Sequence, residues 1–255
     1  KAVVREPRRR IMVAGRDGVK PHSRRPRRPV GLIQEKDIQV NGPEGSLRLC
    51  VQRRLGGIGD VLMTTPTVRA LKERFPDCHL TYATDPNYYS GELTQILEET
   101  PYIDQVVDFK KISQEKFHFF VDITSVCPSK EKKENPPVNR IDMFSEYVGI
   151  RLSETLPTYV VREEEKKWCR TIYKKWFGSG SHTVVVIHTA SVDNKRTWPI
   201  EKYIDLIARA TEEIPSLRFV IFDQNRKKMH WDLKNCVNAS DFGIREKAAL
   251  LWGCD

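Results

Sequence analysis

From residue 46 onward, continuous apolar runs trade places with stretches in which apolar positions recur every three or four residues. Residues 47–51 read as a strand, and the glycine-rich turn Leu55-Gly56-Gly57-Ile58-Gly59-Asp60 follows. Residues 61–75 carry helical spacing through Val61, Leu62, Thr65, Val68, Leu71 and Phe75, and Pro76-Asp77 ends the helix. Strands are predicted at 79–84, 105–109 and 117–123, with a short helix over 88–98. Asn135-Pro136-Pro137 marks a loop, and 140–148 is helical up to Gly149.

A second block repeats the theme. Residues 163–176 form a helix whose apolar face carries Trp168, Ile172 and Trp176, each four positions apart. Gly178-Ser179-Gly180-Ser181 closes it as a turn. Residues 183–188 give the strongest strand signal, continuous and β-branched, the pattern of a parallel strand buried on both faces. Pro199 suits the first turn of a helix that runs to Glu213. Another strand is predicted at 217–222 and another helix at 244–252.

Strands alternating with helices of this length imply an α/β protein with parallel sheets. The expected architecture is two Rossmann-like domains, 46–160 and 161–255, preceded by an extended arm at 1–45. Their ligand cleft belongs at the carboxyl ends of the strands. The second domain is expected to be incomplete, because Gly253-Cys254-Asp255 follows a helix where another strand should begin.

Charge changes this picture at one place. The formal net charge is +9, but residues 1–29 hold eleven basic and two acidic side chains, leaving thirty-two of each sign in the remainder. The surplus belongs to the arm, and the body is neutral. No apolar run approaches the ~20 residues of a helical membrane span. No secretory pattern opens the sequence, and Pro7, Pro21, Pro26 and Pro29 break any amphipathic transit helix. Six cysteines are scattered without a Cys-x-x-Cys pair or metal-ligand spacing, and read as free thiols in a reducing compartment.

Two constellations carry candidate chemistry. In the turn Gly56-Gly57-Ile58-Gly59 the glycines let backbone N–H groups approach a ligand at the start of a helix. The turn fails as a dinucleotide fingerprint, since Val61-Leu62 stands where a third Gly or Ala is needed. Asp60 reads equally as a helix N-terminal carboxylate or as a general base taking a proton from a substrate hydroxyl. The second constellation, His188 to Pro199, leaves a strand and enters a helix. Thr189, Ser191, Lys195 and Arg196 suit a diphosphate there; the alternative is a polar loop in which Thr197 caps the helix. No Asp-x-Asp motif occurs to bridge a metal and a nucleotide sugar, and no Gly-x-Ser-x-Gly elbow supports hydrolase chemistry.

Arg53 to Pro66, continuing through Ala70-Leu71-Lys72-Glu73-Arg74-Phe75-Pro76, resembles the start of glycosyltransferase family 9, the ADP-heptose:lipopolysaccharide heptosyltransferases. Ile187 to Ser191, with Lys195, Trp198-Pro199, Tyr203 and Leu206-Ile207, is similar to that family's donor-domain start. Asn139 to Phe144, with Val148-Gly149-Ile150, is similar to its stretch before the linker. The resemblance implies a GT-B-like fold and inverting, metal-independent transfer without a cofactor. It makes Asp60 the base and Lys195 the residue meeting the donor diphosphate, with hydroxyl contacts from Thr189 and Ser191. The N-terminal domain would take a glycan or lipopolysaccharide-type acceptor and the C-terminal domain an ADP-heptose-like donor. It also implies a cytoplasmic enzyme, peripheral at the inner membrane face.

Two features depart from the family. Asp223-Gln224-Asn225 stands where the family usually turns on glycine, and the family's Asp-Ser/Thr-Gly…His segment would follow Asp255. The alternative is a non-catalytic scaffold on the same fold, a virus-particle component among them. Its arm would bind nucleic acid, an anionic membrane surface or partner subunits. A nicotinamide oxidoreductase is weaker, because the glycine fingerprint fails.

Overall fold

The structure, a computed structural model, describes residues 47–127, 139–189, 197–223, 233 and 235–254, and the arm lies outside them. The first sheet contains β1 (Arg48–Gln52), β2 (His79–Thr84), β3 (Gln105–Asp108) and β4 (Phe119–Asp122). All pairings are parallel and the order is β3-β2-β1-β4. Leu49, Cys50 and Val51 of the central β1 are fully buried, as a parallel strand covered on both faces requires. The chain steps outward from β1 to β2 to β3, then returns to the other side of β1. The carboxyl ends of β1 and β4 therefore flank a topological switch point, where open α/β sheets bind ligands.

Among the described residues this sheet is accompanied by α1 (Ile58–Leu62), α2 (Thr65–Arg74), α3 (Glu92–Gln95) and α4 (Arg140–Val148). The single helix expected over 61–75 is two helices. Thr64 Oγ1 donates to the Val61 carbonyl at 2.7 Å and shares a 2.9 Å hydrogen bond with the Tyr82 hydroxyl. Pro66 lacks the N–H that a continuous helix would use. The helix expected over 88–98 shrinks to a 3₁₀ turn at Tyr88–Gly91 and the one-turn α3, hinged at Gly91 with φ of 87°. α4 matches its expectation, capped by Asn139, whose side chain accepts the Ile141 N–H at 3.0 Å, and stopped by left-handed Gly149.

The second sheet has β5 (Thr183–His188), β6 (Leu217–Phe222) and β7 (Cys236–Asn238) in the order β5-β6-β7, again parallel. Among the described residues it is accompanied by α5 (Glu163–Phe177), α6 (Ile200–Glu213) and α7 (Ile244–Trp252). Val184, Val220 and Phe222 face Cys169 of α5 and Ala249 and Leu250 of α7. Phe219 and Ile221, on the opposite face, meet Ile207 of α6. This is the GT-B-like pair of Rossmann-like sheets expected from the sequence. One detail is corrected. β5 is not buried on both faces: Val185, Val186 and Ile187 are only half-buried. Among the described residues β5 has a neighbouring strand on one edge alone.

Residues 150–162 connect the two sheets and are tied to both. The buried Arg69 of α2 donates to Glu154 and to the Leu156 carbonyl, each at 3.0 Å, and also to Thr158. Arg245 of α7 donates to the carbonyls of Gln95 and Val160, each at 3.0 Å, and pairs with Glu165 of α5. No helix among the described residues is long and apolar enough to cross a membrane.

Candidate active site

Where β1 ends, the backbone stays clamped to its neighbours. Arg53 N–H donates to the Ala83 carbonyl at 2.9 Å, and Arg54 N–H donates to Thr124 Oγ1 at 3.0 Å. The chain then turns sharply at Gly56, whose φ of 138° is left-handed territory that a side chain disfavours. A Cβ there would sit 2.8 Å from an Arg53 guanidinium nitrogen and 3.0 Å from Asp60 Cβ. Gly57 caps α1, and its N–H donates to Asp60 Oδ2 at 3.0 Å. Gly59 faces open space, with nothing within 4 Å of where its Cβ would stand.

Asp60 is thus both a residue of the first helical turn and a partly open carboxylate, 23% exposed. Its Oδ1 accepts from Arg140 Nη1 at the start of α4 and lies 3.8 Å from Arg53 Nη2. Arg53 is 4% exposed. Its guanidinium lies 5.0 Å from the ring centroid of Phe144, one turn beyond Arg140 on α4, and donates to the Ile123 carbonyl at 3.4 Å. Arg53 Nε is buried with no hydrogen-bond partner among the described residues. At the neighbouring strand end, Asp122 accepts from Gln52 Nε2 at 2.7 Å and from the Thr124 N–H at 2.9 Å, with Arg54 at 3.3 Å.

A cavity of about 810 Å³ opens between the two sheets. From the first domain it is lined by Ile58 and Leu62, which flank Asp60 on α1, and by Glu92 and Ile96. From the second it receives His188 and Asp223, at the carboxyl ends of β5 and β6, and Lys247 of α7. Phe222 and Phe242 supply aromatic surface, and Lys247 Nζ stands 6.0 Å from the Phe222 ring centroid. Ser240 Oγ accepts the Asp223 N–H at 2.8 Å and donates to Asn238 Oδ1 at 2.5 Å, fixing the floor of the cavity. Aromatic faces beside carboxylates, a hydroxyl and a lysine suit a ligand with both a planar ring and many hydroxyl groups.

The sequence-derived candidates divide as follows. Gly56, Gly57, Gly59 and Asp60 come together in one turn; from this segment it is Ile58 and Leu62, not these four, that line the cavity. Thr189 directly follows β5. Its N–H donates to the Phe222 carbonyl at 3.0 Å, its hydroxyl points to the same oxygen at 3.5 Å, and it is 3% exposed. Ser191 and Lys195 lie outside the described residues. Sequence reasoning missed the roles of Arg53, Arg140 and Lys247. The spacing of Arg140 and Phe144, four apart on one helix face, is the signal that both reach the same turn. Among the described residues no group of three or more His, Cys, Asp or Glu is arranged to hold a metal. The thiols are buried or half-buried, and burial pushes Cys50 up to about 12 and Cys236 up to about 11.

No protein-family model matches the chain, and no curated protein sequence matches it. Its fold is similar to that of a glycosyl transferase of family 9 from Veillonella parvula DSM 2008. The TM-score is 0.65 at 18% identity, over 84% of this chain and 76% of that one. It is also similar to E. coli ADP-heptose lps heptosyltransferase II, with TM-score 0.57 and 13% identity over 81% of this chain and 77% of that one. A third likeness is to E. coli heptosyltransferase WaaC with ADP, with TM-score 0.53 and 12% identity over 82% of this chain and 79% of that one. At such identities the likeness is one of fold.

Proposed function

We propose that this chain is a glycosyltransferase that moves a sugar from a nucleotide-diphosphate donor to a glycan acceptor. The observation that carries the reading is the placement of Asp60. It is a partly open carboxylate at the head of α1, beside the β1–β4 switch point, on the short helix whose Ile58 and Leu62 line the cavity between two Rossmann-like sheets. The motif resemblance and the folds of the family 9 structures support the same reading, and extend it to an ADP-heptose-like donor and a lipopolysaccharide-type acceptor.

In the proposed reaction Asp60 takes the proton of an acceptor hydroxyl. That oxygen forms a bond to the anomeric carbon of the donor as the bond from the carbon to the diphosphate oxygen breaks. The electron pair leaves with the nucleotide diphosphate, and attack from the opposite face inverts the anomeric centre. Lys195 offsets the charge growing on the leaving group, and Thr189 and Ser191 add hydroxyl contacts. No metal or cofactor is assigned a step. Asp60→Asn keeps the shape of the turn and removes the base. Transfer from ADP-heptose should fall about 10²- to 10⁴-fold; undiminished turnover overturns the assignment.

A second reading concerns the arm and is favoured by the location of the charge, all nine net positive units lying in residues 1–29. We propose that this arm neutralises a polyanion, nucleic acid or an anionic membrane, beside whatever the folded body does. Binding of the whole chain to DNA or to anionic vesicles should weaken steeply with salt. Removal of residues 1–29 should abolish it, and unchanged binding sinks the idea.

A further inference from the structure

The buried Arg53 has no part in the reaction just described, yet its position is costly. Removing a guanidinium from water costs several kcal/mol unless the charge is paired and its N–H groups are used. Here the compensation is thin: one long 3.4 Å bond to the Ile123 carbonyl, the ring of Phe144, and an Nε without a partner. The one carboxylate paired with it among the described residues is Asp60, at 3.8 Å. Packing alone does not call for this arrangement, because an apolar side chain would fill the space above Phe144 without the desolvation cost.

The guanidinium is also held in place. Phe144 bounds it, and the Gly56 turn approaches so closely that no Cβ fits between them. Asp60 therefore has two cationic partners of different kinds. Arg140 is 37% exposed and can exchange its contact for solvent or ligand. Arg53, at 4%, cannot. When an acceptor hydroxyl approaches Oδ1 and Arg140 moves aside, Arg53 and the Gly57 N–H are what still hold the carboxylate. We propose that Arg53 is a positioning residue. From beneath the glycine turn it fixes the orientation of the Asp60 carboxylate and the shape of the Gly56–Gly57 turn, without itself touching substrate. The inference rests on Asp60 being the base.

The test compares Arg53→Met, which keeps the contact with Phe144 but not the charge, with Arg53→Lys, which keeps the charge. Asp60→Asn serves as the reference. Misplacing a reacting group by an ångström costs about 10²-fold in rate. Arg53→Met should lower kcat by about that factor, with donor KM within twofold of wild type. Arg53→Lys should recover at least about tenfold of the loss, since charge at short range is what the carboxylate feels. Independently of turnover, hydrogen exchange at the Gly57 amide should quicken about tenfold in Arg53→Met at unchanged melting temperature, because its acceptor has come loose. Should Arg53→Met keep the wild-type kcat and Gly57 protection, the proposal is overturned even if Asp60→Asn is inactive. It is equally overturned if Arg53→Lys is as slow as Arg53→Met, for then shape and not charge holds the turn. If Asp60→Asn turns over normally, the base assignment falls instead, and the Gly57 exchange alone judges whether Arg53 positions the carboxylate.

Discussion

Gly56 shows how one missing side chain shapes the candidate site. Its φ of 138° lies where a β-carbon is strained, and the space a methyl would take is held by the Arg53 guanidinium and Asp60 Cβ. Gly56→Ala therefore meets two penalties at once. The backbone strain alone is worth about 1–3 kcal/mol, and relieving the contact pushes apart the two residues whose pairing organises the turn. Melting should drop accordingly and transfer should fall more than for Gly59→Ala, whose Cβ would enter open space. Equal effects at the two glycines would contradict this account. At this scale the sequence was half legible. The glycines and Asp60 stand out because their residue types at the head of a helix have few uses. Arg53 did not, because nothing in the sequence tells Arg53 from Arg54, whereas the fold buries the first and leaves the second half-exposed, at 44%.

Among elements, the readable ones were those whose own pattern settles their state. β1 and β6 are largely apolar runs and β2 mixes apolar residues with small hydroxyl side chains, all three in the middle of sheets, and α4 and α5 carry both periodicity and end signals. The misread ones depend on partners distant in sequence. The break between α1 and α2 comes from Thr64 finding the Tyr82 hydroxyl on β2, a contact that apolar spacing does not encode. Burial pushes that Tyr82 phenol up to about 12, which keeps its proton in place for the shared hydrogen bond. β7 is only three residues long, Cys236–Asn238, and exists because β6 offers it an edge. For β5 the error ran the other way: a continuous β-branched run signalled burial on both faces, but the cover of a strand is decided by its neighbours. The polar ends of β5 and β6 are where the cavity begins, so the short-range signals marked the rim of the site even where they misjudged the strand.

Across the whole molecule, a small polar junction ties the two domains together. Arg245 reaches from α7 to the Gln95 carbonyl of the first domain and the Val160 carbonyl of the connecting segment, and pairs with Glu165 at 2.5 and 2.8 Å. Both side chains are largely shielded, at 13% and 15% exposure, so the pair is less screened than a surface contact. Burial pulls Glu165 upward, but the Arg245 guanidinium and the Arg162 N–H outweigh it and hold the carboxyl below its ordinary value of 4.5. A carboxyl depressed in the folded state binds its proton more readily when unfolded. Its stabilising contribution is therefore complete above the unfolded value and is lost as pH falls through the lower, folded one. Glu165→Gln leaves Arg245 shielded without its anion and should cost on the order of 3 kcal/mol near neutral pH. The gap between wild type and variant in thermal or urea unfolding should stay constant down to about pH 4.5 and then close. Other carboxylates, such as Asp104 beside Lys72, titrate in both proteins and cancel in the difference. A gap that persisted to pH 2 would mean that Glu165 contributes shape and not charge. In that case the facing of the two sheets would rest on the backbone acceptors of Arg245, Gln95 and Val160, and the cavity between them should keep its form in acid.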